Sequence, residues 1–320
     1  MDRLHLSIAG KGDPVAVRRI ISPELRQGLL DLHVSGCSPR AEELIDLGLA
    51  FNRESGVIPS IFVASEAEAE RVSTHACDVA RLLANAVESH WSKLEALYSS
   101  LQCSESTTFE DAAFLFVGDF VLDNGLLDVL AVDGSLMPTA PMRSLADLKP
   151  DRYYLWLIEG PPQLLGQYGQ RQIALSNPGW AITTFGQYYI GLNPNHQRQL
   201  LIDRALVGAH DDPETLGAGL GISIVTANDQ TIWERGIAPL LADLLEVFKR
   251  SESPTRALHR DLVRGFEPER TFGEFFCWYD HIAYAHAIDF LAGSGVLSIP
   301  ASRFASAIVQ IGDQVSPFSS

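Results

Sequence analysis

The spacing of apolar residues predicts long helices towards both ends of the chain. Residues 65–101 contain neither proline nor glycine and mix Glu/Ala-rich with apolar stretches, which is typical of one long helix, and residues 22–52 also have a helical pattern. Residues 271–291 are apolar nearly all round, which predicts a buried helix. Just before them, apolar residues recur at intervals of three and four and form one stripe: Ile237, Leu240, Leu241, Leu244, Leu245 and Phe248.

The middle of the chain consists instead of short apolar or aromatic runs separated by Gly, Pro, Asn and Asp, and such runs predict β-strands. They lie at residues 114–117, 129–132, 153–158, 188–190 and 222–225. The two patterns together predict an α+β fold, with a central, mainly antiparallel β-sheet flanked by helical N- and C-terminal segments. We expect a single domain, with a helical N-terminal lobe at 1–108, a β-rich core at 109–234 and a helical C-terminal segment at 235–320.

Composition and charge narrow the classes of function. Apolar residues make up 46% and charged residues 20% of the chain, which is ordinary globular usage and argues against disorder. The formal net charge of −16 opposes binding to the phosphates of nucleic acid or to an anionic membrane surface. The four cysteines lie far apart without a C-x-x-C pair, which argues against a disulfide framework and favours a reducing cytoplasm.

The sequence also lacks the patterns of secreted and membrane proteins. No apolar stretch follows the first residues as in a secretory signal, and no run approaches the roughly 18 apolar residues of a membrane span. We therefore expect a cytoplasmic protein whose partner is a small-molecule substrate, with neither nucleic acid nor a membrane as partner. Assembly into a homo-oligomer is left open.

One set of residues suggests a metal centre. The pattern His210-x-Asp212 is followed by His259 and then by Arg270, just ahead of two phenylalanines at 275–276. Two imidazoles and one carboxylate can hold a ferrous ion on one face and leave the opposite face open for oxygen and a co-substrate. A nearby guanidinium can grip a carboxylate through paired hydrogen bonds.

This arrangement resembles the carboxyl half of the non-haem iron, 2-oxoglutarate-dependent oxygenases and their isopenicillin N synthase relatives, over about residues 205–276. The resemblance implies that His210, Asp212 and His259 bind Fe(II) and that Arg270 anchors 2-oxoglutarate. It also implies a double-stranded β-helix and the hydroxylation or a related oxidation of a small organic molecule. The alternative is that His210 and Asp212 belong to a solvated turn and that His259 lies on an exposed helix face.

A second candidate site lies on the predicted buried helix. His286 and Asp289 are three residues apart and could form a hydrogen bond on one helix face, which would orient the imidazole as a base or as a ligand. We name His286, Asp289 and Tyr284 as candidate catalytic residues, for acid–base chemistry without a metal. The alternative is a core helix whose polar groups are satisfied by neighbouring backbone.

Four aspartates recur through the first predicted strands of the β-rich core, and their spacing matches no calcium-binding loop. We expect these residues to be turn-forming and solvent-facing carboxylates: Asp119, Asp123, Asp128 and Asp133. The sequence thus leaves three hypotheses for the function, namely an iron oxygenase, an acid–base enzyme, and a binding module that recognises a small molecule or a protein without catalysis.

Overall fold

The computed structural model describes residues 3–11, 14–54, 56–137, 152–174, 180–187, 223–263, 268–300 and 306–311. The helices in these ranges are α1 (Pro14–Ile20), α2 (Pro23–Ser35), α3 (Ala41–Asp46), α4 (Glu66–Tyr98), α5 (Phe109–Val117), α6 (Asn124–Asp133), α7 (Ala227–Leu262) and α8 (Pro268–Gly293). The strands are β1 (Leu4–Lys11), β2 (Ala50–Arg53), β3 (Gly56–Pro59), β4 (Phe62–Ala64), β5 (Arg152–Glu159), β6 (Tyr168–Ala174), β7 (Trp180–Gln187), β8 (Ser223–Val225) and β9 (Ala307–Ile311).

The strands form two mixed sheets and one hairpin. In the first sheet, β5 lies between β1, which is antiparallel to it, and β4, which is parallel to it. In the second sheet the order is β6-β7-β9-β8, and the pair β8–β9 is parallel whereas the other two pairs are antiparallel. The α+β class is therefore confirmed. The described ranges contain no closed barrel and no double-stranded β-helix.

Strand β5 joins two hydrophobic cores because its side chains alternate between its two faces. Tyr153, Leu155 and Leu157 pack into a smaller core with helices α1–α3. Tyr154 and Trp156 pack with Ile158 into the main core. Because both faces of β5 are buried, its sequence is an unbroken apolar run. The strand predicted at 153–158 is confirmed.

Three long helices, α4, α7 and α8, dominate the main core and confirm the three long helical patterns. Helix α4 begins with a capping box formed by Ser65 and Glu68, and α7 begins with one formed by Thr226 and Asp229. Helix α7 packs closely against α4 at Gly236, where an added Cβ would lie 2.4 Å from the Leu97 side chain. None of the helices described here is both long and apolar enough to cross a membrane.

The strands predicted at 114–117 and 129–132 are wrong, because these residues belong to α5 and α6. A π-helical turn, Gly118–Asp123, connects the two helices. Periodicity cannot distinguish a strand from a helix that is buried all round, and every residue of α5 except Glu110 and Asp111 is buried. The strand predicted at 222–225 is confirmed by β8, and the one predicted at 188–190 lies outside the described residues.

Candidate functional site

The long helices α4 and α8 meet along a seam that contains polar side chains. The Ser73 Oγ of α4 lies 2.9 Å from the His286 Nε2 of α8, and the His75 Nδ1 lies 2.8 Å from the Tyr279 hydroxyl. Ser73 and His286 are both half-buried. The seam therefore joins a hydroxyl to an imidazole at the surface of the main core.

Asp289 lies one helical turn beyond His286 and is held by residues that lead into β6. Its Oδ1 accepts a hydrogen bond of 2.7 Å from the Tyr168 hydroxyl, and the Gln167 Nε2 donates to both Oδ1 and Oδ2, at 3.1 and 2.9 Å. The Tyr284 hydroxyl donates to the Tyr168 main-chain oxygen at 2.8 Å. These bonds fix the position of the carboxylate relative to the imidazole.

Gly166 brings Gln167 and Tyr168 up to α8. Its φ of 79° lies in the left-handed region, and an added Cβ would lie 2.7 Å from the His281 carbonyl oxygen. Because only glycine tolerates both the backbone conformation and this close approach, the residue sets the distance between β6 and α8. The contacts that hold Asp289 depend on that distance.

The electrostatics of the seam keep the imidazole neutral near pH 7. Burial lowers the pKa of His286, although the charge of Asp289 opposes this shift. Burial likewise raises the pKa of Asp289, while its contacts with Tyr168, His286 and Gln167 act in the opposite direction. A neutral imidazole with its proton on Nδ1 can accept the Ser73 proton at Nε2, which is the requirement for a general base.

The structure brings two of the three predicted catalytic residues together. His286 and Asp289 influence each other through their charges, although the described contacts include no hydrogen bond between them. Tyr284 is fully buried and its hydroxyl bonds to a backbone carbonyl, so it positions β6. Sequence reasoning missed Ser73, because a single serine in a long amphipathic helix carries no signal that distinguishes it from an ordinary helix residue.

Of the proposed iron ligands, the structure describes the side chain of His259 only. This residue lies on α7 with 1% of its surface exposed, so the expectation of an exposed helix face is wrong. Its Nε2 lies 3.0 Å from the Thr271 Oγ1, and its ring packs against Phe62, Phe272 and Phe275. Burial, together with nearby arginine charges, lowers its pKa to about 4.

The other members of the iron set lie outside what the structure describes. His210 and Asp212 fall in the range that is not described, and Arg270 lies on α8 but its side chain is not described. The iron centre and its 2-oxoglutarate therefore stay predictions. Within the described ranges, no three His, Cys, Asp or Glu side chains are grouped so that they could hold one metal ion.

A second polar group is buried where α8 packs on the π-helical turn. Asp119 and Asp123 are both buried there, so the expectation that they face solvent is wrong for these two residues, whereas Asp133 is exposed as expected. Asp119 accepts hydrogen bonds from the Asn124 Nδ2 at 2.5 Å and from the Gln170 Nε2 at 2.9 Å. These aspartates form part of the main core.

Comparison of the chain with protein-family models, with curated proteins and with solved structures gave no match. The function is therefore inferred from the geometry of the residues themselves.

Proposed function

We propose that this protein is an enzyme that acts on a small organic molecule by acid–base chemistry, with His286 as the base and Ser73 as the group that it deprotonates. The observation that carries the proposal is the 2.9 Å contact between the Ser73 Oγ and the His286 Nε2. A nucleophile within hydrogen-bond reach of a neutral imidazole, with a carboxylate nearby, is the arrangement that activates a hydroxyl.

The chemistry that this arrangement favours is acyl transfer to water. The Ser73 oxygen would form a bond to an acyl carbon while its proton moves to the His286 Nε2, and that proton would then pass to the leaving group. Water, deprotonated by the same imidazole, would release the acyl group and restore the hydroxyl. The negative charge of Asp289 would stabilise the imidazolium that forms in both steps, without a direct bond to it.

The contacts of Asp289 support this role for the carboxylate. Tyr168 and Gln167 together donate three hydrogen bonds to it, so its charge has a fixed position relative to His286. Asp289 is itself exposed, and without these bonds its carboxylate would be free to turn towards solvent, where its effect on the imidazole would be small. The proposal thus gives the contacts of Ser73, His286 and Asp289 a function in a single reaction.

The test is covalent labelling of the full chain with a fluorophosphonate, which reacts with activated serine hydroxyls. We expect labelling at Ser73, located by peptide mass spectrometry, and no labelling at that position in Ser73→Ala. His286→Gln is expected to slow the labelling at least ~100-fold, because general-base catalysis typically contributes that much.

A matched control is available on α4, the helix that carries Ser73. The His90 Nε2 lies 2.9 Å from the Asp243 Oδ2, so this pair is an imidazole beside a carboxylate away from the seam. His90→Gln is expected to leave the labelling of Ser73 unchanged. Absence of labelling at Ser73, or equal labelling in His286→Gln, would contradict the proposal and favour a binding module without catalysis.

A further inference from the structure

An arginine stacks on an aromatic ring across the α4–α8 seam, on the two helices that carry Ser73 and His286. The guanidinium carbon of Arg81 on α4 lies 4.9 Å from the centre of the Phe290 ring on α8. Arg81 follows Ser73 by about two helical turns, or roughly 12 Å along α4, and Phe290 follows His286 by about one turn. Because helical side chains lean towards the N-terminus of their helix, both members of the stack lean in the direction of the Ser73–His286 contact.

The stack of Arg81 differs from that of another arginine in the use of the N–H groups. Arg256 on α7 stacks on Phe272 at 4.0 Å, and its Nε donates to the Glu252 Oε1 while its Nη2 donates to the Ser135 main-chain oxygen. Arg81 has neither a hydrogen bond nor an ion pair with any other residue that the structure describes. Stacking occupies the flat face of a guanidinium and leaves the N–H groups at its edge for other partners. The edge of Arg81 is therefore available to a ligand.

The surroundings of Arg81 favour an anionic ligand that comes from outside the chain. Asp78 lies one turn before it on α4, and Asp289 directly precedes the ring on which it stacks, yet neither forms an ion pair with it among the described contacts. Asp289 instead accepts the hydrogen bonds of Gln167 and Tyr168. A guanidinium matches a carboxylate through two parallel hydrogen bonds, so a carboxylate is the ligand that suits this group.

We propose that Arg81 binds a free carboxylate of the substrate on which Ser73 acts, and that the substrate class is the monoesters of short dicarboxylic acids. This inference rests on the proposed function of the seam. The Ser73 oxygen would bond to the ester carbon, the alcohol would leave with the proton from His286, and water would then release the dicarboxylic acid. The stack on Phe290 fixes the guanidinium, and so its distance from Ser73 selects the length of the acid.

The experiment measures the binding of glutarate, a short dicarboxylate, to the full chain by isothermal titration calorimetry. Because the net charge of −16 repels anions in general, binding of this dianion requires a local site. In Arg81→Gln the Kd should rise about tenfold, since charge-assisted hydrogen bonds are lost. The matched control is Arg71→Gln, which removes the same charge from α4, but from a guanidinium that pairs with Asp261 on α7 at 3.9 Å. There the Kd should not change, and the uncharged glutaramide should not bind.

Three outcomes would overturn the assignment of Arg81: no binding of glutarate to the unmodified chain, the same Kd in Arg81→Gln, or equal binding of glutaramide. Labelling of Ser73 by an uncharged fluorophosphonate tests the proposed function separately. If Ser73 is labelled and the Kd for glutarate is the same in Arg81→Gln, only the inference about Arg81 fails. If glutarate binds through Arg81 but Ser73 is not labelled, the carboxylate site stands and the proposed function fails.

Discussion

Glu274 and Asp280 are two buried carboxylates on one helix, and they differ in what surrounds them. The Oε2 and Oε1 of Glu274 accept hydrogen bonds of 3.1 and 3.2 Å from the Phe62 N–H on β4 and the Leu155 N–H on β5. Asp280 has no such donors in the described ranges, and burial and the charge of Asp123 raise its pKa. The first carboxylate joins α8 to the first sheet, whereas the second makes no such connection in the described ranges. Burial alone therefore does not show whether an acid holds two elements together, and the donors around it do.

The largest effect that sharpens this comparison is expected at Glu274. Glu274→Gln replaces one acceptor oxygen by a donor that meets a backbone N–H, so a buried N–H is left without its acceptor. We expect the free energy of unfolding to fall by about 2–4 kcal/mol, measured by urea denaturation. Glu246→Gln, on the exposed face of α7, should change the free energy by less than ~0.5 kcal/mol. Equal effects of the two changes would contradict the structural role of Glu274.

The next effect is expected at Glu68, a buried carboxylate that is paired with a histidine. Its Oε2 lies 2.7 Å from the His33 Nε2, and the two side chains are 8% and 4% exposed. Burial alone would raise the pKa of Glu68, but its bonds to His33 and Ser65 outweigh this and lower the pKa from 4.5 to about 2. Glu68→Gln should reduce the free energy of unfolding by about 1–3 kcal/mol at pH 7.

The stabilisation that the charge of Glu68 provides should depend on pH. In the unfolded chain this carboxyl takes up a proton near its ordinary pKa of 4.5, whereas in the folded chain it stays charged down to about pH 2. The stabilisation is therefore fully present above about pH 4.5 and disappears as the pH falls towards 2. Denaturation curves of Glu68→Gln and of the unmodified chain should converge in that window. A difference that stays constant with pH would show that the charge of Glu68 is not the cause.

A smaller effect is expected at Asp280. Because burial and the charge of Asp123 raise the pKa of this carboxyl group, Asp280→Asn removes little charge and changes the volume of the side chain little, so we expect the free energy of unfolding to change by at most about 1 kcal/mol. Urea denaturation measures this change. A loss of several kcal/mol, like that expected at Glu274, would mean that Asp280 has hydrogen-bond donors and would end the distinction between the two residues.

The smallest effect on stability is expected in the α4–α8 seam. Ser73→Ala removes one half-buried hydrogen bond, so the free energy of unfolding should fall by about 1 kcal/mol or less. The same variant should lose fluorophosphonate labelling entirely. The seam therefore differs from the buried contacts of Glu274, because removal of the Ser73 hydroxyl should cost little stability and yet abolish the reactivity. A large loss of stability would instead indicate a structural contact.

The long amphipathic helices and strand β5 could be predicted from the sequence, because their patterns extend over enough residues to define a period. The segment 114–132 could not, since a helix buried on all sides and a buried strand have the same apolar composition. The burial of Asp119 and Asp123 was missed for the same reason. Aspartates between apolar runs are typical of turns, and only the π-helical turn shows that they point into the core.

Half of the candidate site could be derived from the sequence and half could not. His286 and Asp289 were found because a helix brings residues three apart onto one face. Ser73 lies more than two hundred positions away along the chain, and its contact with His286 depends on how α4 and α8 pack, which no local pattern encodes. The same holds for the bonds from Tyr168 and Gln167 to Asp289, which require the close approach at Gly166.

The most direct test of the acid–base proposal is the rate of labelling at Ser73 as a function of pH. Because burial lowers the pKa of His286 and only the neutral imidazole can accept the Ser73 proton, the rate should rise with pH and reach a plateau, with its midpoint below the ordinary histidine pKa of 6.5. In His286→Gln this sigmoidal rise should be absent. A rate that has no such midpoint in the unmodified chain, or the same midpoint in His286→Gln, would contradict the assignment of His286 as the base.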